Sequence, residues 1–195
     1  MKKTQWLILI IPIILIIEFM LRNIVVEADK YIGSKEKVNN SGFIDPKLEK
    51  DMKDAGWYPG ASWCVYFVKM IWKKVLPSKF PKHWKIAQKL ISGSSQNTWN
   101  KFKKDTSGLF KQSNTPQIGG IVIWQKYKKG LPLWEGHAGI VKSHTTTSFV
   151  TIEGNTNDNG SSNGDGIYEK NRKYAWNTYE GLRLKGFINI IVLKK

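Results

Sequence analysis

The spacing of apolar residues divides the chain into a helical half and a strand-rich half. In the helical half, apolar residues recur every three or four positions and form one stripe, which consists of Phe67, Val68, Ile71, Trp72 and Val75. This period predicts an amphipathic helix that starts at Cys64 and that Pro77 ends. Asp45 and Pro46, as N-cap and first-turn residues, predict an earlier helix that ends near Ala55. Two further helices are predicted at Lys82 to Ile91 and Asn97 to Lys104.

From Ile118 onwards the pattern changes to short, β-branched runs that turn residues separate. Such runs are typical of strands that pair in antiparallel order. The predicted strands are Gly120 to Tyr127, His137 to His144, Ser148 to Glu153, Gly166 to Tyr174 and Leu182 to Leu193. Helices followed by a meander of strands predict an α+β fold. The intervening segment Gly154 to Gly166 is rich in Asn, Gly, Ser and Asp, and it is predicted to form a loop.

The first 28 residues have the pattern of an export signal. Lys2 and Lys3 precede an unbroken apolar run, Trp6 to Ile17. This run is shorter than the roughly 20 residues that a membrane-spanning helix needs. A small-residue site, Val26-Glu27-Ala28, follows, so we expect a secretory signal peptide that is cleaved after Ala28; an uncleaved membrane anchor is the alternative. In either case the two lysines favour a cytoplasmic amino terminus and place the remainder in the cell envelope or outside the cell.

Length and composition indicate one folded domain behind this signal. Residues 29–44 are polar and predict a linker, which leaves residues 45–195 for a single domain. Lys and Arg number 31 against 15 Asp and Glu, so the net charge is +16, and removal of residues 1–28 would leave +15. The hydrophobic fraction of 41% excludes a disordered basic tail.

The high positive charge allows two kinds of partner. A nucleic-acid binder is one alternative, because lysine neutralises phosphates. However, the lysines are dispersed from Lys30 to Lys195 and no DNA- or RNA-binding motif is present. We therefore expect no nucleic-acid binding, and we expect attraction to anionic cell-wall polymers or to a membrane surface.

The chain has one cysteine, Cys64, which excludes an intramolecular disulfide and a cysteine-based zinc site. Cys64 follows the loop Trp57 to Trp63 and opens the predicted amphipathic helix. At that position free N–H groups and the helix dipole stabilise a thiolate. A small buried thiol is the alternative, but a helix start after a loop favours a nucleophile.

A thiol nucleophile needs a base, and the chain offers three histidines. His83 lies among lysines and is expected on the solvated surface, and His144 is expected at a strand end. His137 stands at a strand start in Gly136-His137-Ala138-Gly139, where small neighbours leave room for a substrate or a second backbone. We therefore expect His137 to be the base, although a structural histidine is common at such a position.

Glu153 and Asn155 are the candidates for a third group that orients the imidazole. Residues i and i+2 of an extended chain share a face. If the two strands pair through the turn at residues 145–147, they cross near residue 146, and Glu153 or Asn155 falls opposite His137 to Gly139. Either side-chain oxygen would then fix the ring so that its other nitrogen faces the thiol. A surface glutamate at a strand end is the alternative.

Further side chains near these positions predict a substrate groove but no metal site. Tyr58, Trp63 and Trp134 flank the candidate residues and are expected to line the groove, with core packing as the alternative. The loop at residues 154–166 has the composition of a calcium loop. It lacks the EF-hand spacing and has few carboxylates, so we expect neither a metal nor another cofactor.

Three motifs in this order resemble a CHAP domain of the NlpC/P60 (papain-like) cysteine peptidase superfamily. They are Ala-Ser-Trp-Cys-Val-Tyr-Phe-Val around Cys64, Gly-His-Ala-Gly-Ile-Val around His137 and Ile-Glu-Gly-Asn-Thr around Glu153 and Asn155. The segment 119–124 resembles the family's PGDIVVF-type strand, with Gly-Gly in place of Gly-Asp. The resemblance covers residues 45–193.

The resemblance implies a papain-like α+β fold, with helices packed on an antiparallel sheet, and hydrolysis of peptidoglycan amide bonds. The bond would lie in the stem peptide or between muramic acid and L-alanine. Cys64 would be the nucleophile, His137 the general base, and Glu153 or Asn155 the orienting group. Two alternatives from other classes stay open here: a catalytically silent cell-wall-binding module of the same fold, and a basic nucleic-acid binder.

Overall fold

A six-stranded sheet, antiparallel throughout, organises the fold. The computed structural model describes residues 17–157 and 164–192. The strands are β1 (Phe110–Ser113), β2 (Ile121–Lys128), β3 (Leu131–His144), β4 (Ser148–Thr156), β5 (Gly166–Lys173) and β6 (Gly181–Ile190). They lie side by side in the order β1-β6-β2-β3-β4-β5. The predicted α+β class is confirmed. The short edge strand β1 was not predicted, because its four residues are too few to show a clear strand pattern.

Five α-helices within the described residues accompany the sheet. They are α1 (residues 17–29), α2 (Pro46–Asp54), α3 (Cys64–Lys79), α4 (Pro81–Leu90) and α5 (Ser95–Lys103). The predicted start of α2 is confirmed, because the Asp45 side chain accepts a hydrogen bond of 2.8 Å from the Lys47 N–H. A short 3-10 helix, Val38–Asn40, precedes α2.

Helix α3 provides much of the core, and nine of its 16 residues are buried. All five residues of its predicted apolar stripe lie in the core. The prediction that Pro77 ends the helix is wrong, since α3 continues to Lys79. Proline removes one N–H donor. The turn around it is nevertheless closed by the Phe80 N–H, which donates to the carbonyl of the buried Leu76 at 2.7 Å.

Alternating side chains of β2 belong to two different hydrophobic clusters. Ile121 and Ile123 join the main core with α1 and α3, whereas Val122 and Trp124 join a second cluster with Phe149. This alternation follows from the two-residue period of a strand. The central strands are therefore buried on both faces, which fixes their register.

The amino-terminal residues of the described chain are part of the main core. Leu21, Ile24 and Ala28 on α1 are fully or almost fully buried, and Phe43 is 1% exposed. The predicted linker, residues 29–44, is an ordered part of the domain, because the apolar side chains of Tyr31 and Phe43 are buried within an otherwise polar stretch. Apart from its last residue, the predicted apolar run lies outside the described residues. Of the helices that the structure describes, none has the length and apolarity to cross a membrane.

Gly119 stands where α1, α3 and β3 meet. Its φ of 77° lies in the left-handed region that favours glycine. A Cβ at this position would lie 2.8 Å from the Leu21 carbonyl oxygen. The Trp72 indole donates to the Gly119 carbonyl at 3.1 Å, and the Gly119 N–H donates to the Val141 carbonyl at 2.8 Å. A residue without a side chain therefore permits the close approach of three elements.

We expect Ile24→Ala to lower the free energy of unfolding by about 2 to 5 kcal/mol, because it empties a fully buried site. Val26→Ala on the same helix is the matched control, since Val26 is 57% exposed. Its expected effect is below about 0.5 kcal/mol. Urea unfolding followed by circular dichroism measures both values. Equal effects of the two substitutions would show that α1 is not packed on the core.

Candidate active site

Cys64 is the first residue of α3, and its side chain lies at the uncapped end of that helix. Trp63 occupies the N-cap position without a side-chain hydrogen bond to the first turn. The first N–H groups of a helix have no partner within the helix, and they carry the positive end of its dipole. Cys64 is 7% exposed. The thiol is thus largely shielded from water.

His137 is completely buried in β3. Its Nε2 lies 2.9 Å from Glu153 Oε2, which leaves Nδ1 for a different partner. Nδ1 has no formed hydrogen bond among the described residues, and the Cys64 thiol is the neighbour that most strongly favours a proton on the ring. Catalytic hydrogen bonds are often long in resting enzymes and shorten when substrate binds.

Glu153 on β4 is the acceptor at the centre of the site. Ile140 pairs with Ile152 and Val141 with Thr151, which brings Glu153 to the level of Gly139. The predicted crossing near residue 146 is therefore confirmed. A Cβ at Gly139 would lie 2.8 Å from Glu153 Cγ, so the absence of a side chain there leaves room for the glutamate.

Glu153 is fully buried and accepts hydrogen bonds from three directions. Arg172 on β5 donates through Nε to Oε1 at 2.8 Å and through Nη2 to Oε2. The Thr151 hydroxyl donates to Oε1, and His137 is the third partner. A buried carboxylate is tolerated when its oxygens are satisfied in this way.

The two predicted orienting residues occupy different environments. Glu153 contacts His137 directly. Asn155 adopts a left-handed backbone conformation with φ 57° and is fully buried. Its side-chain amide has no hydrogen-bond partner within residues 17–157 and 164–192. Unpaired buried amides are costly, so a group that binds here would gain a hydrogen bond.

The charges at His137 and Glu153 stabilise each other. Burial opposes ionisation of Glu153, but the hydrogen bonds from Arg172 and His137 outweigh it and lower the pKa of Glu153 to about 2. Burial also disfavours the imidazolium, but its interactions with Cys64 and Glu153 raise the pKa of His137 to about 9. At neutral pH the arrangement therefore favours a protonated imidazole beside a carboxylate.

The three aromatic residues predicted to line a groove separate into two classes. Tyr58 is 62% and Trp134 80% exposed, so both are accessible to a ligand. Trp63 is fully buried, and its placement in an open groove is wrong. Its ring packs against the backbone of Gly154, and its indole N–H donates to the Glu36 carboxylate. Trp63 is a core residue because the loop before α3 folds inward onto β4.

The remaining histidines lie away from this arrangement. His83 was expected on the surface, but it is buried, and its Nε2 lies 2.8 Å from the Ile191 carbonyl oxygen. Its ring packs edge-on against Phe80 and Phe110. Phe110 and Ile191 are distant from His83 in sequence, so the adjacent lysines led to the wrong expectation of a solvated surface. His144 is exposed at the end of β3, as expected.

Arg172 and Trp124 are site neighbours that the sequence analysis missed. The Arg172 guanidinium lies over the Trp124 ring, 5.2 Å from its centroid. The Trp124 ring in turn lies 5.7 Å from the His137 ring at an interplanar angle of 31°. Within the part of the chain that the structure describes, no group of three or more His, Cys, Asp or Glu side chains is placed to hold a metal ion.

Comparison with protein-family models identifies a match. The family model described as CHAP domain matches residues 55–155, which is just over half of the chain. This range contains Cys64, His137, Glu153 and Asn155, and it ends before Arg172. A comparison with curated proteins found no match.

We expect the His137 imidazole to stay protonated up to a pH of about 9, because Cys64 and Glu153 both favour its charge. Titration by NMR measures this pKa, with the signal assigned by its absence in His137→Gln. Cys64→Ala removes the strongest favourable interaction, so the pKa of His137 should fall in that variant. A titration near the ordinary histidine value of about 6.5 in both proteins would contradict the prediction.

Proposed function

The chain belongs to the CHAP domain family, and on that premise we propose that it is an exported cysteine hydrolase of peptidoglycan. CHAP domains in general have amidase or peptidase activity of the peptidoglycan-hydrolase type. The bond cleaved would be an amide of the stem peptide or the N-acetylmuramoyl-L-alanine bond. The observation that carries the proposal is the buried His137–Glu153 pair beside a thiol at a helix start.

The reaction would begin with attack of the Cys64 thiolate on the amide carbonyl carbon. Free N–H groups in the first turn of α3 are placed to stabilise the oxyanion that forms. His137 then gives its Nδ1 proton to the leaving nitrogen, the C–N bond breaks, and a thioester remains on Cys64. His137, now neutral, takes a proton from water, whose oxygen attacks the thioester. The acid product and the thiolate are released.

Glu153 has the orienting role in this proposal. Its contact with Nε2 selects the tautomer and ring angle that direct Nδ1 to the thiol. Asn155 has a separate role: its unpaired buried amide would bind a polar group of the substrate. Tyr58 and Trp134 supply exposed aromatic surface for sugar or peptide.

Cys64→Ala should reduce wall hydrolysis by at least about 10³-fold, because the nucleophile is removed. Turbidity loss of purified walls measures the rate, and mass spectrometry of released muropeptides identifies the bond. A new amino terminus at L-alanine indicates an amidase, and one within the stem peptide indicates an endopeptidase. His137→Gln should match this loss, with His144→Gln as the control on the same strand.

Unchanged wall hydrolysis in Cys64→Ala would reject the mechanism. Wall binding without any product from the wild-type chain would instead favour the silent binding module. Circular dichroism of each variant excludes unfolding as the cause of a loss.

The proposal includes export with the amino-terminal segment retained. Cleavage after Ala28 would remove the buried side chains of Leu21 and Ile24 from the main core. Each such loss costs about 2 to 5 kcal/mol. Together they approach the total stability of an ordinary domain, about 5 to 15 kcal/mol. The packing of α1 therefore favours the uncleaved anchor over the cleaved signal peptide.

Charge supports a role close to the wall. The net charge of +16 is carried largely by lysines spread over the whole chain. A surface of that charge attracts anionic wall polymers and raises the rate of encounter with them. This attraction should weaken as salt screens it.

We expect the exported protein to keep residues 1–28 and to fractionate with membranes. Intact mass spectrometry of the membrane fraction measures the terminus. A chain that begins at Asp29 is the comparison, and it should unfold at a lower urea concentration because part of its core is missing. Recovery of a stable, active protein that begins at Asp29 would contradict the retained segment.

A further inference from the structure

We propose that Arg172 is a positioning residue of the active site, which holds both the carboxylate and the aromatic ring that fix His137. Its catalytic consequence rests on the proposed function. Arg172 lies on β5, outside the range 55–155 that the family model matches, so the match gives it no role.

The first half of the argument is the contact with Glu153. Two N–H groups of one planar guanidinium donate to the two carboxylate oxygens. This fork fixes the plane of the carboxylate as well as its position. Oε2 is shared with His137 Nε2, at 2.9 Å. The direction in which Glu153 presents Oε2 to the imidazole is therefore set by Arg172.

The second half is the contact with Trp124. The guanidinium lies over the indole ring, an attractive cation–π arrangement. The same indole packs beside the His137 ring, its cross-strand partner on β3. His137, Glu153, Arg172 and Trp124 thus form a closed circuit of contacts, which we call the imidazole clamp. Apart from the imidazole itself, Arg172 is the member of the imidazole clamp that contacts both Glu153 and Trp124, among the contacts that the structure describes.

The positive charge of Arg172 also compensates the Glu153 carboxylate during the reaction. The groups that face the buried Glu153 are His137 from β3, Arg172 from β5 and the Thr151 hydroxyl from its own strand, with Cys64 of α3 beyond the imidazole. When His137 gives its proton to the leaving group, its positive charge disappears. Arg172 cannot lose its charge at any relevant pH. It therefore compensates Glu153 at the stage where His137 does not.

Three variants test this proposal. Arg172→Met removes the paired N–H donors and the positive charge. Arg172→Lys keeps the charge but replaces the planar guanidinium with a single ammonium group. Arg183→Met is the matched control, because Arg183 also stacks on an aromatic ring, that of Tyr127, and donates to the Thr178 carbonyl, outside the imidazole clamp.

We expect Arg172→Met to lower kcat/KM on walls by about 10- to 100-fold at pH 7, through kcat, as displaced catalytic groups do. Arg172→Lys should lose less, and Arg183→Met should stay within about twofold, because the contacts of Arg183 lie outside the imidazole clamp. Without Arg172 the buried Glu153 takes up a proton and no longer supports the imidazolium. The pH midpoint for alkylation of Cys64 by iodoacetamide should therefore rise. The chain has a single cysteine, so the label reports on that thiol alone.

Combination with Glu153→Gln separates positioning from general structure. Because Arg172 acts mainly through Glu153, Arg172→Met should lower kcat/KM several-fold less in the Glu153→Gln background than in the wild-type protein, and the remaining loss should come from the contact with Trp124. An undiminished loss in that background would overturn the proposal, as would a wild-type alkylation profile in folded Arg172→Met. If Arg172→Met does not fold, Arg172→Lys takes its place. The same two measurements then test the proposal: the change in kcat/KM in the Glu153→Gln background, and the pH profile of Cys64 alkylation. Alkylation needs no substrate, so it tests Arg172 even if walls prove not to be the substrate.

Discussion

The ionised carboxylate of Glu153, buried inside the sheet, is the constraint on which the site depends. A charge removed from water is tolerated only when partners neutralise it and fill its hydrogen-bonding capacity. Those partners come from β3 and β5, the strands on either side of β4, and from Thr151 on β4 itself. The three strands must therefore pair in one register before the site exists. Cys64 on α3 and Glu153 on β4 together raise the pKa of His137, so the packing of α3 against the sheet helps to set the protonation state of the imidazole.

The parts of this arrangement that were predictable are those with local causes. The turn at residues 145–147 and the two-residue period of strands were enough to place Glu153 or Asn155 opposite His137 to Gly139, and the structure identifies Glu153 as the residue that contacts the imidazole. The apolar period was enough to place Cys64 at the start of α3. Arg172 was hidden because the long loop before β5 does not specify a register. The prediction for Trp63 was wrong because its partners are distant in sequence. Its ring packs against Gly154, and its indole N–H donates a hydrogen bond to Glu36, 27 residues earlier in the chain.

Helix α1 changes the meaning of the amino-terminal sequence. Its hydrophobic residues were interpreted as the end of an export signal, since a signal peptide and the first helix of a domain both require apolar side chains. Burial distinguishes the two, because Leu21 and Ile24 are enclosed by the domain. The buried apolar residues of α1 are therefore accounted for by the core of the domain itself.

Gly119 shows how far this integration extends. Helix α1, the helix that begins with the thiol and the strand that carries the imidazole all meet at its backbone. Elements that share such a junction open and close as one cooperative unit, and amide hydrogens within one unit exchange with a common free energy. Opening of α1 around Leu21 therefore loosens the backbone on which the helix of Cys64 and the strand of His137 are packed. Unfolding of this part of α1 and loss of the Cys64–His137 geometry should then share one free energy.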